Sequence, residues 1–207
     1  DSICLKKIGL TSLGMQKLLG VNEPDYGHLL DNMIVPEGGL CLRDELLSPK
    51  VEGEIAFVLK KDLQGPGVTI ADVYLATEGI MPAIEIVDSR ITDWKIKLED
   101  TIADNASSAR FVLGSQMFNL KDFDLRSIGM FLEKNGQLVN SGAGVEVLGS
   151  PIMSVAWLAN KLSEFNIGLK AGEIILSGAV TAAASAGNGD VFHVHFDRLG
   201  TVSVKFV

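Results

Sequence analysis

The stretch that most constrains this chain is Val51 to Leu59, VEGEIAFVL. Its alternation and its β-branched and aromatic content describe a β-strand. Side chains alternate faces along a strand, so Val51, Ile55, Phe57 and Leu59 share one face. Glu52 and Glu54 share the other with Ala56 and Val58. Two carboxylates then stand roughly 7 Å apart on an otherwise apolar face. Anions that close either face water or share a cation. A shared Mg2+ or Mn2+ takes oxygen ligands, few of them from protein, and keeps positions for water and substrate. The strand alone leaves both readings open.

With 207 residues, 47% of them hydrophobic, the chain can bury a core as one large domain or two small ones. A net charge of −8 argues against nucleic acid or an anionic membrane surface as partner. It also means that an anionic substrate needs local help from a cation. No apolar run approaches the ~18 residues of a membrane span. Cys4 and Cys41 are too few for a disulfide framework and no signal peptide is visible, which points to a reducing cytoplasm. The chain opens at Asp1 inside what reads as a strand, so part of the natural N-terminus is expected to be missing.

Ile3 to Leu10 reads as a strand carrying Lys6 and Lys7. Thr11 or Ser12 is placed to cap a short helix with Met15, Leu18 and Leu19 as its apolar side, ended by Gly20. Asn22 to Gly27 is turn chemistry, and Leu29 to Val35 is an apolar run interrupted by Asp31 and Asn32. Thr69, with Asp72 three residues on, forms a capping box. Ile80 to Val87 is strand-like, and Pro82 argues for an edge or a bulge there. Asp88 to Asn105 is polar, a loop with a helical piece. Ser107 to Leu113 and Ile128 to Lys134 are strands, and Asn135-Gly136 predicts a tight hairpin to Gln137 to Asn140. Ser150-Pro151 opens a helix whose buried stripe is Val155, Leu158, Ala159 and Leu162. Glu173 to Leu176, Val191 to Phe196 and Thr201 to Phe206 finish as strands. Without repeats or linkers, residues 1–207 read as a single, mostly β domain with short helices, α+β in class.

Glu85 is a lone carboxylate on an apolar strand. With Glu52 and Glu54 it makes a three-point oxygen cage that leaves about half of an octahedral shell open, as a catalytic metal requires. Lys7 is a candidate for proton transfer, because burial lowers the pKa of a lysine. Asp31 is a weaker case of the same kind. His28, His193 and His195 lack metal-ligand spacing, and His193 and His195 read as surface. Cys4 and Cys41 have no base nearby in sequence, and Trp94 and Trp157 read as core or loop anchors. No nucleophile elbow, Walker loop or dinucleotide fingerprint is present.

Several segments together resemble a known family. They are KKIGLTS (Lys6 to Ser12), GVNEPDYGHLLDNM (Gly20 to Met33), PKVEGEIAFVLKKDLQGPGVT (Pro49 to Thr69), EIVDSRITDWKIKLEDTIADNAS (Glu85 to Ser107) and EKNGQLVNSGAG (Glu133 to Gly144). They look like the 2-keto-4-pentenoate (2-hydroxypenta-2,4-dienoate) hydratases of the fumarylacetoacetate hydrolase superfamily. The resemblance implies mixed, twisted sheets rolled into a barrel-like core, with a helical segment ahead of Asp1. It implies Mg2+ or Mn2+ on Glu52, Glu54 and Glu85, with Lys7 and Asp31 as catalytic residues. Thr11, Ser12 and Ser107 are the implied contacts to a small 2-oxo or 2-hydroxy dienoate. It further implies meta-cleavage catabolism of aromatic compounds and a homo-oligomer. A complex with a related decarboxylase or a downstream aldolase is a further implied partner. The close relative is 4-oxalocrotonate decarboxylase. Lys6-Lys7-Ile8-Gly9 and Asp93-Trp94-Lys95-Ile96-Lys97 lean to the hydratases, and Ser177 to Ala183, SGAVTAA, leans to the decarboxylases. A non-catalytic partner subunit is the remaining alternative. The superfamily's hydrolases carry a lysine some twenty residues past the third ligand. Here Ala103-Asp104-Asn105 stands in that region, which argues against C–C bond hydrolysis.

Overall fold

The computed structural model describes residues 3–207, apart from the side chains of residues 3, 4, 18, 19 and 98. Asp1, the Cys4 thiol and the packing of Leu18 and Leu19 thus lie outside the described residues. Chain order begins β1 (Ile3–Gly9), α1 (Leu13–Leu19), β2 (Asp25–Leu30), β3 (Leu40–Cys41) and β4 (Lys50–Leu59). It continues with α2 (Ile70–Ala76), β5 (Thr77–Val87), α3 (Leu98–Ala103) and β6 (Ser108–Leu113). Next come β7 (Gly129–Lys134), β8 (Gln137–Ala143), α4 (Pro151–Ser163) and β9 (Ile174–Leu176). The last are β10 (Ala184–Ser185), β11 (Val191–Phe196) and β12 (Gly200–Phe206).

The first sheet runs β2-β1-β9-β4-β5-β6, with β10 also paired to β4. It curls until its ends meet, where the Val35 N–H donates to Phe111 O at 2.8 Å. The face turned inward carries Leu5, Leu29, Ala56, Ala83, Phe111 and Leu176 as a small buried cluster. The other face carries Val51, Ile55, Phe57, Ile84 and Ile86 into the main core. A second sheet, β3-β12-β11-β7-β8, closes that core with Phe192, Val194, Val202 and Val204. The mixed, curled architecture agrees with the expected α+β class. No helix among the described residues is long and apolar enough to cross a membrane.

Several local signals act as their chemistry predicts. Asn135 and Gly136 take φ of 55° and 74°, the left-handed pair that a tight hairpin needs, and they join β7 to β8. The Thr69 hydroxyl accepts the Asp72 N–H at 3.3 Å while Asp72 accepts the Thr69 N–H at 2.8 Å. In α4, Val155, Leu158, Ala159 and Leu162 are buried. Pro82 departs from expectation, because β5 is an interior strand. Its missing N–H falls where the neighbouring chain leaves the ladder, between the Gly114 N–H donated to Pro82 O at 2.8 Å and the bridge from Ile80 to Phe118. Asn22 to Gly27 also departs, since Asp25 already starts β2.

The two sheets come into close contact at Gly53, where an added Cβ would lie 2.6 Å from Met130 Cε and 2.7 Å from Val194 Cγ1. Gly53→Ala is therefore expected to destabilise the fold by about 1–3 kcal/mol through overpacking. Thermal melting with a chelator present reads this without metal, and an unchanged midpoint would show that the sheets are not in tight contact there.

Candidate active site

The register of β4 on β5 sets Glu52 directly opposite Glu85 and Glu54 opposite Ala83. All three glutamates therefore project from the inner face of the curled sheet, and one oxygen of each lies within 4.8 Å of the others. Glu54 and Glu85 are fully buried, and Glu52 is half-buried. Each buried carboxylate has one oxygen tied to the frame. The Gly178 N–H donates to Glu54 Oε2 at 2.7 Å, and the Ser108 hydroxyl donates to Glu85 Oε1 at 2.6 Å. The second oxygens, Glu54 Oε1 and Glu85 Oε2, are buried with no hydrogen-bond partner among the described residues. Orphaned anionic oxygens converging on one point fit a hard divalent cation, which takes carboxylate oxygens and tolerates an incomplete protein shell.

Lys7 reaches the same chamber from β1. It is level with Leu176 of β9, which is level with Ala56 of β4, so its side chain shares the inner face. Its Nζ lies 3.3 Å from Glu85 Oε2. Lys6, on the opposite face, pairs with Glu173. Asp25 faces Gly9 across β1 and β2 and is buried. A Cβ on Gly9 would meet Asp25 Oδ1 at 2.2 Å and Lys7 Nζ at 2.9 Å, so a bare glycine lets carboxylate and ammonium converge. Thr101 of α3 donates to Asp25 Oδ2 at 2.8 Å, while Oδ1 has no hydrogen-bond partner among the described residues. Asn105 holds β2 in place, accepting the His28 N–H and donating to His28 O, each at 2.7 Å.

Burial and the adjacent Glu85 charge push the Glu52 carboxyl up to about 7, and the same causes push Glu54 well above the carboxylate range. For Lys7, burial pulls the pKa down, but Glu85, then Asp25, Glu52 and Glu54, outweigh it and hold the ammonium above its ordinary value. The expectation that burial frees this lysine's proton is thus corrected by the carboxylates around it.

A cleft of about 700 Å³ opens onto Glu52. Thr11 and Ser12 line it, as do Lys50 and Trp94. Trp94 lies in the connection between β5 and α3, the loop alternative of its expected role, and it faces the cleft. Two expected site residues do not join the cluster. Asp31 is exposed and follows Leu30, which pairs with Ile3 at the far end of β1 from Lys7. Ser107 is buried outside the cleft and donates its hydroxyl to Asp104 at 3.2 Å. Asn105, Ala106 and Ser107 all have positive φ, and this kink turns Ser108 rather than Ser107 toward Glu85. Asp25, Ser108 and the Gly178 N–H were missed by sequence reasoning. The only signal for Asp25 is its place beside Gly9, which appears once the strands pair. His195 lies on the second sheet, between Glu133 at 3.1 Å and Thr201 at 2.9 Å.

The sequence profile of the fumarylacetoacetate hydrolase C-terminal family matches residues 26–207. The chain is 51% identical over 203 residues to a 2-hydroxyhexa-2,4-dienoate hydratase of Comamonas testosteroni, covering 97% of this chain and 77% of that protein. It is 56% identical over 163 residues to a 2-hydroxypent-2,4-dienoate hydratase of Pseudomonas putida, covering 78% and 73%. Among solved structures, 4-oxalocrotonate decarboxylase from Pseudomonas putida G7, complexed with magnesium and adipate, superposes with a TM-score of 0.97 at 43% identity. That match covers 100% of this chain and 78% of the other.

A cation entering this cluster must displace protons from the glutamates, because it binds their charged form. Glu52, raised to about 7, is mostly protonated at pH 6 and half ionised near pH 7. Mg2+ affinity is therefore expected to rise roughly fivefold between about pH 6 and pH 7 through Glu52, and further through Glu54. Calorimetric titration in buffers of different ionisation enthalpy counts the protons released. A pH-independent affinity with no proton release would remove the cluster as the cation site.

Proposed function

The chain belongs to the fumarylacetoacetate hydrolase C-terminal family, and from that membership we propose that it is a metal-dependent hydro-lyase. It adds water to 2-hydroxypenta-2,4-dienoate (2-keto-4-pentenoate) to give 4-hydroxy-2-oxopentanoate, a reaction of meta-cleavage catabolism of aromatic compounds. The observation that carries this reading is the pair of orphaned glutamate oxygens beside a buried lysine. The two hydratase relatives, at 51% and 56% identity, support the choice of reaction.

Glu52, Glu54 and Glu85 would hold a divalent ion, Mg2+ or Mn2+. When bound, it supplies positive charge to an anionic acid in an anionic protein and draws electrons from the 2-oxo group. Ser108 and Gly178 keep the Glu85 and Glu54 carboxylates oriented throughout. Lys7 holds a proton at Nζ, since its carboxylate neighbours outweigh burial. It delivers that proton to C5 of the dienol and takes back the one that the 2-hydroxyl gives up, which leaves a 2-oxo-3-enoate. Water then adds at C4, and Lys7 gives its proton to C3 and is recharged from Asp25. Asp25, with Oδ1 unpartnered beside Lys7, takes the proton from the attacking water. Thr11 and Ser12 line the cleft and contact the acid.

A second reading, decarboxylation of 2-oxohex-3-enedioate, draws on the superposition with 4-oxalocrotonate decarboxylase. A paired assay with Mg2+ separates the two. Loss of 2-hydroxypenta-2,4-dienoate with formation of 4-hydroxy-2-oxopentanoate is expected. CO2 release from the diacid without any hydration would replace the hydratase reading.

Lys7→Met is expected to lower kcat at least ~100-fold, the usual scale for a lost acid–base group. Mg2+ binding, read calorimetrically, should persist in the variant. Near-normal kcat would show that another group moves the proton.

A further inference from the structure

Pairing of β1 with β2 brings Asp25 beside Lys7, but the bond that aims the Asp25 carboxylate comes from outside the sheet. The carboxylate is buried, and the Thr101 hydroxyl, 2.8 Å from Oδ2, is its one hydrogen-bond partner among the described residues. A carboxylate turns about its last torsion with only a broad preference of its own. The bond to Oδ2 therefore decides where Oδ1 points, and Oδ1 is the oxygen turned toward Gly9 and Lys7.

Thr101 is itself only 2% exposed. A threonine inside a helix commonly turns its hydroxyl back to a carbonyl of the preceding turn. Here the Lys97 carbonyl accepts the Thr101 N–H at 2.9 Å, and the hydroxyl leaves α3 for β2. The segment that carries Thr101 is fastened just beyond it. Asp104 pairs with the Arg90 guanidinium at 2.6 Å, and Arg90 also donates to the Asp88 and Ser108 carbonyls at 2.6 Å and 3.1 Å. Asn105 bonds both main-chain groups of His28. Gly27 lets the two segments close up, since a Cβ there would lie 2.6 Å from Asn105 O. The hydroxyl is thus presented to Asp25 from a fixed position.

We propose that Thr101 is a positioning residue for water addition. By holding Oδ2 it keeps Asp25 Oδ1 within reach of the attacking water, and a base displaced from that reach loses rate. Ketonisation of the dienol passes through Lys7 alone, so Thr101 acts on the second step and not on the first. The inference rests on the hydratase reading and on Asp25 as the base of that reaction.

The test is a single turnover of 2-hydroxypenta-2,4-dienoate with Mg2+ present and protein in excess. Dienol loss and 4-hydroxy-2-oxopentanoate formation are followed separately. In the wild type, product formation is expected to keep pace with dienol loss. In Thr101→Val, which keeps the shape and removes the hydroxyl, dienol loss should stay within about twofold. Product formation should fall about tenfold, the low end for a hydrogen bond to a charged group, with 2-oxopent-3-enoate building up between. Thr101→Ser, which keeps the hydroxyl, should restore most of the product rate. Product formation that still keeps pace with dienol loss in Thr101→Val, whether both are normal or both are slowed, overturns the assignment and leaves the hydratase reading standing. Failure of Thr101→Ser to restore the rate overturns it too, because the loss then belongs to packing. No hydroxy acid from the wild type overturns the hydratase reading and the inference with it.

Discussion

The pairing of Glu52 with Glu85 across β4 and β5 is the contact on which the rest of this site depends. Burying one carboxylate is costly, and setting a second beside it raises the cost, because each anion raises the pKa of the other. The fold offsets this in separate ways. Gly178 and Ser108 each bond one oxygen of Glu54 and Glu85. Lys7 brings an opposite charge to Glu85 across two intervening strands. What remains is Glu54 Oε1 without a hydrogen-bond partner and Glu85 Oε2 with only the Lys7 ammonium beside it. A sheet that gathers like charges on an enclosed face does so at a cost in stability, which a bound cation would offset.

Register is what keeps this arrangement intact. A slip of β4 by one residue would turn Glu52 and Glu54 into the main core and bring Gly53 to the inner face, and the same slip of β5 would exchange Glu85 for Ile84. The ladder between β4 and β5 is unbroken from Lys50 to Val58, and its irregularity lies beyond, at Val58 and Leu59. Gly53 sits inside the regular stretch, pressed against Met130 and Val194 of the second sheet. Core packing on one face therefore sets the position of the carboxylates on the other. The same carboxylates govern Lys7. They hold its proton against the pull of burial. A cation that takes up their charge would take away what holds that proton, so cation occupancy and lysine acidity are linked through Glu85.

What could be read from the sequence follows from how local each determinant is. The alternation in VEGEIAFVL, the lone Glu85 in an apolar run, the Asn135-Gly136 turn and the Ser150-Pro151 helix start depend on neighbours within a few residues, and all are recovered in the fold. Asp25 is different. Its surroundings, NEPDYG, have turn composition, and only pairing with Gly9 makes it a buried neighbour of Lys7. Ser108 was hidden by the adjacent Ser107, because the run of positive φ from Asn105 to Ser107 decides which hydroxyl turns inward. Asp31 looked like a buried acid because it interrupts an apolar run, yet the strand ends at Leu30 and leaves it exposed. The pKa direction of Lys7 was beyond reach for the same reason. Burial is legible from its apolar neighbours, but the charges that outweigh it come from β2, β4 and β5.

The two ends of the cleft are built differently, and that difference bears on how one fold hosts related reactions. The carboxylates project from β4 and β5, paired strands whose positions the core fixes from behind. Beside Lys50 of β4 and Asn140 to Gly142 of β8, much of the wall farther out comes from connecting segments. Trp94 and Ile96 lie between β5 and α3, and Ala179 to Ala183 lie between β9 and β10. Connections of this kind change residues without disturbing the sheet, whereas a change at Glu54 or Glu85 disturbs the burial balance of the whole chamber. In the proposed reading the head group of the acid is thus held by the rigid part of the fold. Variation at the outer wall falls mostly to the connections, which can alter a single side chain at little cost to stability.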